Sequence, residues 1–107
     1  MLLAIDVGNT NIVYGLIDGT KLVHQFRVET NRNRTSDEYA VIVRQLLEMH
    51  GIAAKSVKAA IIASVVPALT QPMEQLVKRA FGIEALVVGP GIKTGMSILY
   101  ENPREVR

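Results

Sequence analysis

No cysteine occurs among the 107 residues. Disulfides and thiolate metal sites are therefore excluded, and a reducing compartment, with the cytoplasm as the default expectation, suits the chain. No apolar run approaches the roughly 20 residues that a membrane span requires. The short apolar start, Leu2 to Ile5, has no basic segment before it and is interrupted by Asp6, so it reads as a strand rather than an export signal. Charge of one sign is also scarce: the net charge is +2, and Arg27, Arg32 and Arg34 have Glu29, Asp37 and Glu38 beside them. Long-range attraction of nucleic acid is thus weakly supported, and neither a nucleic acid nor a membrane is expected as a partner. Internal repeats, low-complexity tracts and linker compositions are absent as well.

What is present is globular composition, 49% apolar and 21% charged, in a length suited to one domain over 1–107 with a single core. Three β-like runs come first, at 2–8, 12–18 and 21–30. They are separated by Gly8-Asn9-Thr10-Asn11 and by Asp18-Gly19-Thr20, the second holding a strong Asp-Gly hairpin signal. A polar loop at 31–35 leads into Thr35-x-x-Glu38, which has the form of a capping box. Tyr39, Ile42, Val43, Leu46 and Leu47 then form an apolar stripe at helical spacing, and Gly51 supplies the stop. The run 59–66 is almost wholly apolar and rich in Ile and Val. It predicts a central parallel strand closed by Pro67. Leu69, Met73, Leu76, Val77, Ala80 and Phe81 predict a second helix ending at Gly82, with Pro72 expected to delay or bend its first turn. A short strand at 85–88 follows, and from Gly89-Pro90-Gly91 onward the sequence is turn-rich. The order β-β-β-α-β-α-β, a meander feeding two right-handed crossovers, predicts an α/β domain with a mixed five-stranded sheet and helices packed against it. A Rossmann domain starts β-α-β instead.

The chemistry is concentrated in Asp6-Val7-Gly8-Asn9-Thr10-Asn11, where an apolar strand runs into an acid, a glycine, and amide and hydroxyl side chains. A phosphate chain needs backbone N–H donors at close range, and Gly8 offers the close approach and the φ > 0 expected of a tight turn. Asn9, Thr10 and Asn11 add short donors, and Asp6 suits Mg²⁺, directly or through water. A plain polar hairpin with Asx turns explains the same hexapeptide. Elsewhere the ordinary readings prevail. His24 alternates with Leu22, Phe26 and Val28 in a strand, His50 suits the C-terminus of the first helix, and Ser64 has no apparent partner for a nucleophilic triad. Arg32 and Arg34 read as a solvated loop, and Lys93 and Thr94 as part of a turn or of a pocket wall.

Taken together, five stretches resemble one family. They are Asp6-Val7-Gly8-Asn9-Thr10-Asn11, Thr35-Ser36-Asp37-Glu38, Ser64-Val65-Val66-Pro67, Val87 to Gly95 (Val-Val-Gly-Pro-Gly-Ile-Lys-Thr-Gly), and Tyr100-Glu101-Asn102-Pro103-Arg104-Glu105-Val106. The chain is similar to the type III pantothenate kinases, within the superfamily of acetate and sugar kinases, heat-shock cognate proteins and actin. The resemblance implies a ribonuclease H-like, actin-like ATPase domain and ATP-dependent phosphorylation of pantothenate to 4'-phosphopantothenate in coenzyme A synthesis. It implies that Asp6, Val7, Gly8, Asn9, Thr10, Asn11, Ile12 and Val13 are the ATP-phosphate segment, that Asp6 partners Mg²⁺ and that Tyr100 contacts pantothenate. It also implies a monovalent cation, K⁺ or NH₄⁺, and a homodimer for the complete enzyme. The departure is at the end: the family continues Gly-Ala-Asp-Arg after such a last stretch and takes the Asp as the base, whereas position 107 here is Arg. The expectation is an N-terminal half whose base and second domain lie beyond Arg107, inactive as a kinase by itself. Two rivals are a non-enzymatic nucleotide-binding homologue that acts as an accessory factor in transcription through a protein partner, and an inert truncated product prone to associate through an exposed sheet edge.

Overall fold

The computed structural model describes residues 1–88, so Lys93, Thr94 and Tyr100 lie outside the described residues. Three strands open the chain: β1 (Leu2–Val7), β2 (Asn11–Asp18) and β3 (Lys21–Glu29). They form the expected antiparallel meander, with Leu2 opposite Ile17 and Val7 opposite Ile12 in the first pair. Helix α1 (Ser36–Met49), a single 3-10 turn at Ala54–Ser56, β4 (Ala59–Ser64), α2 (Pro67–Phe81) and β5 (Ala85–Val88) follow. The sheet order is β3-β2-β1-β4-β5, with β4 parallel to both its neighbours. The mixed five-stranded sheet read from the sequence is thus observed, with β4 inside it as its unbroken apolar run requires.

Strand alternation sorts the side chains between two faces. Leu3, Ile5 and Val7 of β1, Ile12, Tyr14 and Leu16 of β2, and Ala60 and Ile62 of β4 join one core. That core is completed by Tyr39, Val43 and Leu47 of α1 and Leu69, Met73, Leu76 and Val77 of α2, so both helices cover the same face. Deep within it the Tyr14 hydroxyl donates to Met73 Sδ at 3.5 Å. The opposite face carries a smaller apolar group, Ala4, Ile17 and Ala63, with Leu2, Leu22, Ile61 and Val88 packed around it. Asp6 belongs to this second face by the same alternation.

Helix α1 begins as its sequence dictates. Thr35 Oγ1 accepts from the Glu38 N–H at 3.1 Å, and Glu38 Oε1 accepts from the Thr35 N–H at 2.7 Å, closing both arms of the capping box. Helix α2 departs from the expectation. The strand before it stops at Ser64 rather than 66, and the helix starts at Pro67 instead of being delayed by Pro72. The reason is positional: Pro67 stands at the first helical position, where a missing N–H costs nothing. Ser64 Oγ accepts from the Val66 N–H at 3.0 Å, and the Leu69 N–H closes the first turn onto Val66 O at 2.9 Å. Pro72 removes one later backbone bond, a cost offset by the burial of Leu69, Met73, Leu76, Val77 and Ala80 along one stripe. Gly82 then ends the helix in the left-handed conformation, φ 70°.

Candidate functional site

The turn joining β1 to β2 spans only residues 8–10, and the Gly8 N–H closes it by donating to Asn11 O at 3.0 Å. Of the two reasons expected for a glycine here, close approach and a positive φ, only the first is observed, and it is an approach to the turn's own backbone. Gly8 is absent from the positive-φ glycines, which are Gly19, Gly51 and Gly82. A Cβ at position 8, however, would sit 3.0 Å from Asn11 O, tighter than nearly all real contacts of this kind. Close backbone approach, rather than a left-handed conformation, disfavours a side chain, since Asn11 O would have to give way by a few tenths of an ångström.

The eight residues of the segment do not contribute alike. Val7 and Ile12 are buried in the helix-side core, so their side chains face away from any ligand at the turn. Asp6 is 8% exposed and, among the described residues, is the buried charged side chain. A carboxylate so placed is costly unless its surroundings answer it, and such positions concentrate at functional sites. Gly8, Asn11 and Val13 are half-buried, while Asn9 and Thr10 are exposed at the tip. One acid, one glycine and three amide or hydroxyl side chains therefore surround the turn, all of them hard oxygen or N–H groups.

Neighbouring elements hold the turn. The Val65 N–H donates to Val7 O at 3.0 Å, and Ser64 lies opposite Val7 in the β1–β4 register. Ser64 thus supports the connection into α2, its Oγ accepting from the Val66 N–H. From the far side, Thr30 makes two bonds: its N–H donates to Thr10 O and its Oγ1 donates to Gly8 O, both at 2.8 Å. Thr30 was not singled out by sequence reasoning, although an antiparallel meander necessarily returns the end of β3 to the side of the β1–β2 turn. Arg32 Nη2 donates to Asn9 Oδ1 at 3.1 Å, so this arginine belongs to the hairpin rather than to a free loop. Arg34 turns the other way: Nη1 donates to Glu29 O at 3.2 Å, and the guanidinium carbon lies 5.1 Å from the Tyr39 ring centroid. Tyr39 in turn accepts from the Asn31 N–H at 2.9 Å and donates to Asn31 O at 2.8 Å, fixing the loop between β3 and α1.

The histidines take structural places. His24 stacks beside Phe26, and His50 meets Phe26 edge-on with centroids 4.7 Å apart. His50 is the C-cap residue of α1, and its Nδ1 lies 2.9 Å from Leu46 O. A carbonyl only accepts, so Nδ1 carries the proton. Among the described residues no three His, Asp or Glu side chains converge as a metal cage. The donor set around Asp6 instead fits Mg²⁺, which is commonly held by one or two carboxylates, waters and substrate phosphates. No helix among the described residues is long and apolar enough to cross a membrane.

The backbone likeness extends to solved proteins. It includes a ROK hexokinase from Thermus thermophilus (TM-score 0.62, 16% identity, 82% of this chain and 34% of that one). It also includes RuvC from Thermus thermophilus (TM-score 0.55, 18% identity, 84% of this chain and 64% of that one). Identities this low speak for the fold alone, which is the ribonuclease H-like, actin-like ATPase fold expected. In sequence, the chain is 55% identical over 106 residues to a type III pantothenate kinase of Geobacter sulfurreducens, covering 99% of this chain and 42% of that protein. It is 57% identical over 106 residues to one of Pelobacter propionicus, with the same coverage. The chain thus spans about two fifths of the length of the curated relatives it matches. The model of the type III pantothenate kinase family matches residues 2–106, so that the Asp6 turn, the capped α1 and the Ser64 connection all fall within one family pattern, and the chain belongs to that family.

Proposed function

We propose that this chain supplies the ATP-phosphate-binding half of an enzyme that phosphorylates pantothenate. The observation that carries the reading is the short β1–β2 turn, with Asp6 buried at its root and Thr30 clamped across it. A turn held on both sides presents its polar groups with little ordering left to do when a ligand arrives. Asp6 would hold Mg²⁺, which neutralises phosphate charge when bound. Gly8, Asn9, Thr10 and Asn11 orient the phosphates through N–H, amide and hydroxyl groups, while Val13 flanks them and Val7 and Ile12 anchor the segment in the core. Tyr100 as a pantothenate contact belongs to the same proposal, as do a homodimer, a K⁺ or NH₄⁺ requirement and a cytoplasmic setting for the complete enzyme. Family membership supports these last points.

The test is calorimetric titration of this chain with Mg²⁺-ATP and with pantothenate, alongside a coupled phosphorylation assay. The motif Gly-Ala-Asp-Arg does not occur in these 107 residues, so nucleotide binding without turnover is the expected result. Asp6→Asn is expected to reduce Mg²⁺-ATP affinity at least tenfold while the far-UV circular dichroism stays the same. Absence of binding at millimolar Mg²⁺-ATP would refute the phosphate-binding reading, and Asp6-dependent turnover would refute the expectation of binding without turnover.

A further inference from the structure

The segment 6–13 carries one acid and no base, yet a nucleotide polyphosphate brings several negative charges to it. Backbone N–H groups and one Mg²⁺ leave much of that charge unanswered, so a cationic side chain at the turn has a defined task. Two arginines occur in the adjoining loop, and the structure separates them. Arg34 is engaged with Glu29 O and the Tyr39 ring. Arg32 alone of the pair has its guanidinium on the turn, held by Asn9 Oδ1 at 3.1 Å.

We propose that Arg32 is a positioning residue for nucleotide phosphates, a role that rests on the phosphate-binding reading of the hairpin. Its loop is anchored at several points. Thr30 binds Thr10 and Gly8, the Asn33 N–H donates to Asn31 Oδ1 at 2.9 Å, the Arg34 N–H donates to Asn31 O at 3.1 Å, and Asn31 is bonded to Tyr39. The backbone that carries Arg32 is therefore set before any ligand arrives, which lowers the cost of ordering it on binding. The bond to Asn9 engages one of the guanidinium's five N–H donors. The planar fork matches phosphate oxygens, and because Asn9 and Arg32 are both exposed, the side chain can swing from the amide to a phosphate without moving the core. Asn9 acts in this scheme as the rest that keeps the arginine over the turn.

The experiment is calorimetry on this chain with two probes, Mg²⁺-ATP and Mg²⁺-tripolyphosphate, at low and moderate NaCl, comparing the unsubstituted chain with Arg32→Gln and Arg32→Lys. Arg32→Gln is expected to weaken both probes roughly five- to twentyfold and to flatten the fall of affinity with salt, with an unchanged thermal melting curve. Arg32→Lys is expected to recover the salt dependence and part of the affinity, since it keeps the charge without the fork. The proposal fails if Arg32→Gln binds both probes within twofold of the unsubstituted chain, or if it loses affinity with its salt dependence intact. If the unsubstituted chain binds neither probe, the hairpin reading itself falls, and this inference with it.

Discussion

Tyr14 shows how a single residue of the core sets a pH limit. Burial, more than the neighbouring Tyr39, pushes its phenol far above the usual range, with Arg34 opposing weakly. A phenol whose pKa is raised on folding stabilises the protein fully below its unfolded value of about 10, and that contribution is lost as pH rises above it. The melting temperature is therefore expected to fall steeply above about pH 10, and Tyr14→Phe is expected to make that fall shallower while changing stability at pH 7 by less than about 1 kcal/mol, since only a weak O–H···S bond is removed. Melting curves from pH 7 to 11 check both. At the turn, Asp6 was legible because an acid that ends an apolar strand contradicts the pattern around it. The reason for Gly8 was not legible: whether a glycine serves a positive φ or a close contact depends on where Asn11 O arrives. The division of labour between Arg32 and Arg34 was hidden too, because two positions on a loop say nothing of which guanidinium crosses to Asn9 and which stacks on Tyr39.

The two helices differ in how far local sequence decides them. Helix α1 carries its own start, since Thr35 and Glu38 bond each other's backbone N–H groups. Helix α2 has no side-chain cap and contains Pro72, so its existence depends on packing rather than propensity. Restoring the backbone donor with Pro72→Ala is expected to stabilise the protein by about 1 kcal/mol, the interior penalty of proline being partly offset by the looser unfolded chain. Urea unfolding followed by circular dichroism measures it, and a loss of stability would mean that Pro72 packs against its surroundings more than it disrupts the helix. The ion pair between the helices, Arg79 Nη1 to Asp37 Oδ1 at 3.1 Å, is exposed and contributes little. The apolar stripes carry the helix positions, and those stripes were visible as spacing. The boundaries near Ser64 and Pro67 were not, because an apolar run ending in Ser-Val-Val-Pro does not reveal where the ladder stops and the first turn begins.

At the scale of the whole molecule, the site depends on the sheet order. Placing β1 between β2 and β4 brings the β1–β2 turn, the end of β3 and the start of α2 to one side of the domain. Ile62 is fully buried in β4 beneath the helices, and Ile62→Ala is expected to destabilise the domain by about 3 kcal/mol, a large share of a small domain's stability. Chemical denaturation is expected to show a lower midpoint while the transition stays cooperative. The sequence by itself determined the element types, their order and the acid at the end of β1, because hydrophobic period and turn chemistry are local properties. Its five matching stretches also carried the family, which the end-to-end match of residues 2–106 bears out. Only the tertiary structure decided that Thr30 and Arg32 join the turn, that Val7 and Ile12 face the core, and that Gly8 answers to Asn11 O. Those facts follow from strand pairing and loop anchoring between residues far apart in the chain, and no local pattern encodes such distances.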